Sequence, residues 1–179
     1  MRIISGKARG IRLSMIEGLE TRPTTDRIKE NIFNLINFDI AGSVVVDLFS
    51  GSGSLGLECA SRGAKAVTLV DNSRKCDQVI SENISITKLG SSTKFVLSDV
   101  ATYIRRVEEE SLDIILMDPP YLKDFINPLI ENIVNLNILN EGGLIVIEHE
   151  YRDEIKFDEE YLELHKFKKY GKSGVTILR

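Results

Sequence analysis

Two cysteines and two histidines in 179 residues leave little with which to bind a metal or cross-link the chain. Cys59 and Cys76 stand apart, with no C-x-x-C spacing and no histidine cluster beside them, so no metal site is expected and both read as reduced thiols on helices. Apolar runs long enough to cross a bilayer are lacking, and residues 1–20 carry Arg2, Lys7, Arg9 and Arg12 without the apolar stretch of a signal peptide. A cytoplasmic protein with no membrane contact is the expectation. Internal repeats and low-complexity segments are missing too. At this length, with 42% hydrophobic residues, the chain can bury one sizeable core, which predicts one compact domain with a small appendage.

Basic charge is also short overall, since the formal net charge is -4. Its distribution is uneven, however. Met1 to Ser14 holds four basic residues and no acid, and His165 to Arg179 holds Lys166, Lys168, Lys169, Lys172 and Arg179, again with no acid. An acidic block, Asp153 to Glu163, lies between the two. Local basic patches on an acidic body fit a protein that meets phosphate at particular places and does not coat nucleic acid, although solvated surface charge is an equal reading for either patch alone.

What is present is a strand and helix alternation. "RIISGKARGIRL" has two short β-like runs around Gly6 to Gly10 and predicts a hairpin with a basic tip. In "RPTTDRIKENIFNLINF", Pro23 and the candidate caps Thr24 and Thr25 precede Ile28, Ile32, Phe33, Leu35 and Ile36 at helical spacing, which predicts an amphipathic helix ending before Gly42. From Ser43 onward, short β-branched runs at 44–49, 66–70, 94–98, 112–117 and 143–149 alternate with helical segments near 54–62, 73–88, 99–109 and 124–137. Nearly continuous apolar strands are buried on both faces, and right-handed crossovers between them give a doubly wound, mostly parallel α/β sheet. "GVTILR" is expected to return as a final strand beside "YLELHKF", making seven strands. The division expected is an extension at 1–42 and a catalytic domain at 43–179.

Ligands of open α/β sheets bind beyond the carboxyl ends of the strands, and four strand ends here carry unusual residues. "DLFSGSGSLGLE" has Gly51, Gly53 and Gly56 in G-x-G-x-x-G order directly after a strand and opening a helix, a context for a nucleotide-like ligand. Asp71 ends the second strand, where a carboxylate can accept both hydroxyls of a ribose, in NAD and S-adenosylmethionine alike. Asp99 ends the third, where it can accept an adenine amino group or simply cap the following helix. "DIILMDPPY" then sets Asp118, Pro119, Pro120 and Tyr121 immediately after the fourth. Consecutive prolines remove donors and stiffen the chain, leaving carbonyls without internal partners beside a carboxylate and an aromatic face. That is an arrangement for a planar base bearing an amino group.

"DLFSGSGSLGLE", "LVDNS", "LSDV" and "DPPY", in that order, resemble the class I S-adenosylmethionine methyltransferases of the amino-group type. "ISGKARG", "PTTDR", "GLECASRGA", "GGLIVIEH" and "KKYGKSGVTIL" narrow the resemblance, over the whole chain, to the bacterial 16S (small-subunit) rRNA guanine-N2 methyltransferase family. Asp71 stands where many relatives have Glu, and Ser50 and Ser54 where Ala is common. The resemblance implies S-adenosylmethionine as cofactor, held by Asp47, Phe49, Gly51, Gly53, Gly56, Asp71, Asn72, Asp99 and Val100. It implies transfer to guanine N2 at Asp118, Pro119, Pro120 and Tyr121. The implied partner is small-subunit rRNA in a partly or fully assembled 30S particle, met by the extension and by Arg9, Arg12, Arg22 and Arg27, with the protein acting as a monomer. A DNA adenine or cytosine amino-methyltransferase shares the DPPY logic but usually needs a separate recognition region. An NAD-dependent oxidoreductase leaves DPPY without a role, and a silent binding module predicts a broken Asp118 or glycine loop, both of which are intact.

Overall fold

The computed structural model describes residues 1–16, 26–120 and 125–179. Seven strands form one sheet in the order β3-β2-β1-β4-β5-β7-β6. The strands are β1 (Val44–Asp47), β2 (Ala66–Asp71), β3 (Thr93–Leu97), β4 (Leu112–Met117), β5 (Leu139–Glu150), β6 (Leu164–Tyr170) and β7 (Ser173–Leu178). The first five pair in parallel, while β7 runs antiparallel between β5 and β6. The helices are α1 (Asp26–Leu35), α2 (Ser54–Ser61), α3 (Arg74–Thr87), α4 (Val100–Ile104) and α5 (Ile126–Asn135). Strand order reverses between β1 and β4, so the two βα turns there diverge to opposite faces and leave a crevice at their carboxyl ends.

Side-chain alternation divides the interior into two layers. Val45, Leu69, Leu116, Val146 and Ile177 pack on one face with α1, α2 and α3, and Val46, Val70, Met117, Ile147 and Leu178 pack on the other with α4 and α5. Burial on both faces holds for β1, β4 and β7 but not for the edges. β3 is half open and β6 is exposed along nearly its whole length, because an edge strand lacks a neighbour on one side. Helix α4 is much shorter than the periodicity of 99–109 implies. Past Ile104 the chain tightens through i to i-3 bonds at Arg106 and Val107, and Glu108, Glu109 and Glu110 follow, where acids oppose a helix C-terminus. Both cysteines lie buried on helices, Cys59 on α2 and Cys76 on α3.

The N-terminal hairpin is reduced to one antiparallel bridge, Arg2 with Arg12, flanked by Ile3 N–H to Ile11 O and Leu13 N–H to Met1 O, each at 3.0 Å. Its tip does not project. Lys7 N–H donates to Ser61 O at 2.8 Å and Ala8 N–H to Ser61 Oγ at 2.9 Å, at the end of α2. Gly6 is required there, for its φ is +80° and an added Cβ would sit 1.9 Å from Ser61 O. Ile3, Ala8 and Leu13 accordingly join the same core layer as α1.

Beneath the hairpin lies a buried ion pair. Lys29 of α1 is fully buried in an otherwise apolar stripe, and its three protons go to Glu58 Oε2 at 2.9 Å, Arg2 O at 2.9 Å and Ser54 Oγ at 3.0 Å. Glu58 of α2 also accepts Ile4 N–H, Ser5 N–H and Arg62 Nε at 2.8, 2.9 and 2.9 Å. Burial pushes the Lys29 amine below its ordinary value, and Glu58 opposes that shift. Removing the Lys29 cation leaves buried Glu58 with Arg62 as counter-charge and takes the donor from Arg2 O and Ser54 Oγ. Lys29→Met is therefore expected to lower unfolding free energy by about 3–5 kcal/mol, read as a fall in the urea midpoint at unchanged slope.

Candidate active site

The turn after β1 is held from below and from the side. Ser50 Oγ donates to Asp47 O at 2.8 Å and accepts Val70 N–H at 2.9 Å, pinning the loop to β2. Gly51 and Gly53 have φ of +53° and +82°, and Gly53 sits immediately before α2. Gly56 serves another purpose, since a Cβ there would meet Leu69 Cδ2 at 2.2 Å and Val67 Cγ1 at 3.1 Å. Its absence lets α2 lie directly on β2.

Three acids of the crevice occupy successive strand ends. Asp71 accepts Gly51 N–H at 3.0 Å and Ser73 N–H at 2.9 Å, so the second strand end and the glycine loop are tied through one carboxylate. Asp47 is only 1% exposed, and its Oδ2 accepts Gly56 N–H at 3.0 Å. Its Oδ1 is buried without a hydrogen-bond partner among the described residues. Burial, opposed by the Gly56 bond and reinforced by the negative charges of Asp118 and Asp71, pushes the Asp47 carboxyl up to about 7. Asp118 and Pro119 follow β4, Asp118 half-buried, Pro119 buried and Pro120 exposed. Burial, with Asp71 adjacent, pushes the Cys76 thiol up to about 12, so it stays protonated beside the site.

The other expected residues divide by position. Phe49 stands over the crevice with its ring 5.8 Å from that of Phe125, which leads into α5. Asn72 is exposed beyond Asp71, and Val100 is half-buried. Asp99 adopts the capping geometry, its Oδ1 accepting Thr102 N–H at 3.1 Å at the start of α4. Arg9, Arg12 and Arg27 are exposed, whereas Arg22, Tyr121 and most of "PTTDR" lie outside the described residues. No group of His, Cys, Asp and Glu suited to a metal ion occurs among the described residues.

Two supporting residues escaped the sequence reading. Asn83 of α3 is fully buried, accepts Ser14 N–H at 2.8 Å, and donates to Ser14 O at 3.0 Å and Ser52 O at 2.8 Å. Lys29 reaches Ser54. Both anchor the glycine loop to the N-terminal extension. Each was visible as a polar residue on the buried stripe of a helix, but the sequence does not tell which partner it meets.

A family model described as "Conserved hypothetical protein 95" matches residues 1–179. Ribosomal RNA small subunit methyltransferase D of Escherichia coli strain K12 is 30% identical over 177 residues, 99% of this chain and 88% of that protein. The chain belongs to this family. A Bacillus subtilis member named "Putative rRNA methyltransferase YlbH" is 35% identical over 181 residues, 100% of this chain and 98% of its own length. Among solved structures, the Escherichia coli "Putative methyltransferase yhhF" superposes with a TM-score of 0.85 at 30% identity, covering 99% of this chain and 96% of that one. The fold is that of the class I methyltransferases.

The raised Asp47 value has a consequence for stability. Because it lies above the ordinary 3.8, the folded state holds a proton that the unfolded state has lost. That contribution is complete below pH 3.8 and is lost as pH rises through about 7. Ligand-free wild type is expected to lose stability relative to Asp47→Asn from about pH 5 to about pH 7, by up to about 1.4 kcal/mol per pH unit. Urea denaturation of both proteins over that range measures the difference, and a flat difference refutes the raised value.

Proposed function

We propose that this protein is an S-adenosylmethionine-dependent methyltransferase acting on the exocyclic N2 of a guanine in 16S small-subunit rRNA. The observation that carries the reading is the buried Asp47 carboxylate, with one oxygen unpartnered among the described residues and held between Asp118 and Asp71. A buried acid so disposed is held in its ionised form only by a cationic donor, and the α-ammonium and sulfonium of S-adenosylmethionine supply positive charge. NAD offers that position no comparable cation. The residues present therefore fit this cofactor. Asp47, Phe49, Gly51 and Gly53 would hold its amino-acid part, with Gly56 setting α2 behind them, Asp71 and Asn72 its ribose, and Asp99 and Val100 its adenine. Asp99 Oδ1 also caps α4, and a carboxylate has acceptor capacity for both tasks.

S-adenosylmethionine supplies, when bound, an electrophilic methyl group. The chain's own task is orientation. Guanine N2 is a poor nucleophile because its lone pair is delocalised into the ring. Asp118 and the Pro119 carbonyl accept its two hydrogens, which lets the nitrogen pyramidalise, and Pro119 and Pro120 keep that carbonyl rigid. Asp118 or water takes the proton released as N2 gains its methyl group and a positive charge. Tyr121 stacks on a base that is unpaired or turned out of its helix.

Residues 1–42 are assigned to RNA contact, through Arg9, Arg12, Arg22 and Arg27, and residues 43–179 to cofactor and chemistry. The names of the relatives, both of rRNA methyltransferases, support RNA over DNA. The protein acts as a monomer in the cytoplasm on a partly or fully assembled 30S particle. Among the described residues no helix is long and apolar enough to cross a membrane.

Two measurements test the assignment. Asp118→Ala is expected to lose about 10²- to 10³-fold in single-turnover methylation of undermodified small subunits while retaining cofactor affinity. Tyr121→Ala should instead weaken base capture by roughly 1 to 3 kcal/mol. A wild-type rate in Asp118→Ala refutes the amino-group clamp. Separately, charge reversal at Arg9 and Arg12 should weaken RNA binding and flatten its salt dependence without changing cofactor affinity, since both side chains are exposed on a docked hairpin. Filter binding over a salt series reads the first effect and calorimetry the second.

A further inference from the structure

Glu148, at the carboxyl end of β5, has no role in the site as assigned so far. Its strand runs parallel to β4, with Val146 beside Leu116 and Ile147 beside Met117. One further step leads from this last pair to Glu148 on β5 and, just past the end of β4, to Asp118. Alternation fixes the face of Glu148: Val146 belongs to the core layer of α1 and α2 and Ile147 to the other, so residue 148 returns to the first, and Asp118, just past β4, lies near enough to Asp47 to act on its carboxyl. Adjacent strands lie about 4.8 Å apart, close enough for one planar group to touch both carboxylates. Glu148 is only 4% exposed. It extends the row of acids at the strand ends to β5, β4, β1 and β2.

We infer that Glu148 selects guanine by accepting its N1–H while Asp118 accepts an N2 hydrogen; this rests on the assignment of Asp118 to an exocyclic amine. Guanine presents N1–H and N2–H as neighbouring donors on one edge, and two neighbouring carboxylates match that pair. Adenine presents an amino group beside an unprotonated N1, and cytosine one beside an unprotonated N3. A carboxylate facing either lone pair is repelled and left without its bond. Asp118 alone accepts from any exocyclic amine, so Glu148 supplies the discrimination that Asp118 lacks.

2-Aminopurine separates the two roles, because it keeps the amino group at C2 but its N1 is an acceptor. Small subunits reconstituted with guanosine or 2-aminopurine riboside at the methylated position are compared under single turnover. Wild type should prefer guanosine by at least about 10²-fold, as expected for a site built around a donor. Glu148→Gln, whose amide can donate to N1, should narrow that preference to within about tenfold. A wild type that methylates both substrates equally overturns the inference. So does a Glu148→Gln enzyme that slows on both by the same factor, since a purely structural role leaves the ratio unchanged. If the variant does not fold, the wild-type ratio decides alone. Absence of transfer to guanosine by wild type refutes N2 methylation itself and this inference with it, whereas transfer with an unchanged ratio removes Glu148 only.

Discussion

The Lys29–Glu58 pair is the constraint on which the rest of the molecule depends. Full burial of a lysine and a glutamate is costly, and Coulomb attraction alone does not offset it reliably. Here the hydrogen bonds make the difference. All three protons of Lys29 are taken, and Glu58 accepts two backbone N–H groups of the extension as well as Arg62, whose guanidinium in turn lies 4.9 Å from the Phe33 ring centroid. These bonds tie the extension to α2, the helix that the glycine loop opens. With Asn83 bridging Ser14 and Ser52, the extension and the cofactor loop share one rigid frame.

That frame gives meaning to the strain at the strand ends. A buried acid flanked by two others opposes the folded state at neutral pH, and the surrounding structure must hold it in place. Asp47 Oδ2 accepts the amide of Gly56, while Oδ1 has no hydrogen-bond partner among the described residues. A cationic ligand would relieve the repulsion and donate to Asp47 Oδ1 at once. Under linkage, such a ligand stabilises the fold by its own binding energy, and the rigidity imposed by Lys29 and Asn83 prevents the loop from escaping the repulsion by moving.

Much of this was legible in the residues. The parallel run of strands was readable because β-branched runs such as Val44 to Val46 and Ile114 to Ile115 are short and bounded by turn residues, and the glycine loop because each glycine has its own steric cause. The limits of α4 were not, since periodicity through Val107 does not register that the helix tightens after Ile104. Nor was the docking of the hairpin tip. Gly6 reads as a turn residue, whereas its decisive contact is with Ser61, far along the chain. Lys29 and Asn83 illustrate the same limit, because a polar residue on a buried stripe announces a partner without naming it. Glu148 was hidden within "GLIVIEH", where only strand register shows that its neighbour Ile147 lies beside Met117, the residue before Asp118.

The second basic segment takes on a different character in three dimensions. Lys166, Lys168 and Lys169 lie on β6, an exposed strand at the edge of the sheet. Lysines on such an edge discourage pairing with another sheet, and this accounts for them without invoking a ligand. Lys169 is further engaged, its amine 3.6 Å from the centre of the Tyr151 ring. The acidic block from Asp153 to Glu163 precedes this strand and dilutes its field over a Debye length of about 8 Å. Arg9 and Arg12 stand on a stretch free of acids, attached through Glu58 and Asn83 to the frame of the glycine loop. The first basic segment is bonded to the frame that carries the glycine loop, and its lysine and arginines have no such edge to protect, so the proposed RNA contact is assigned to it.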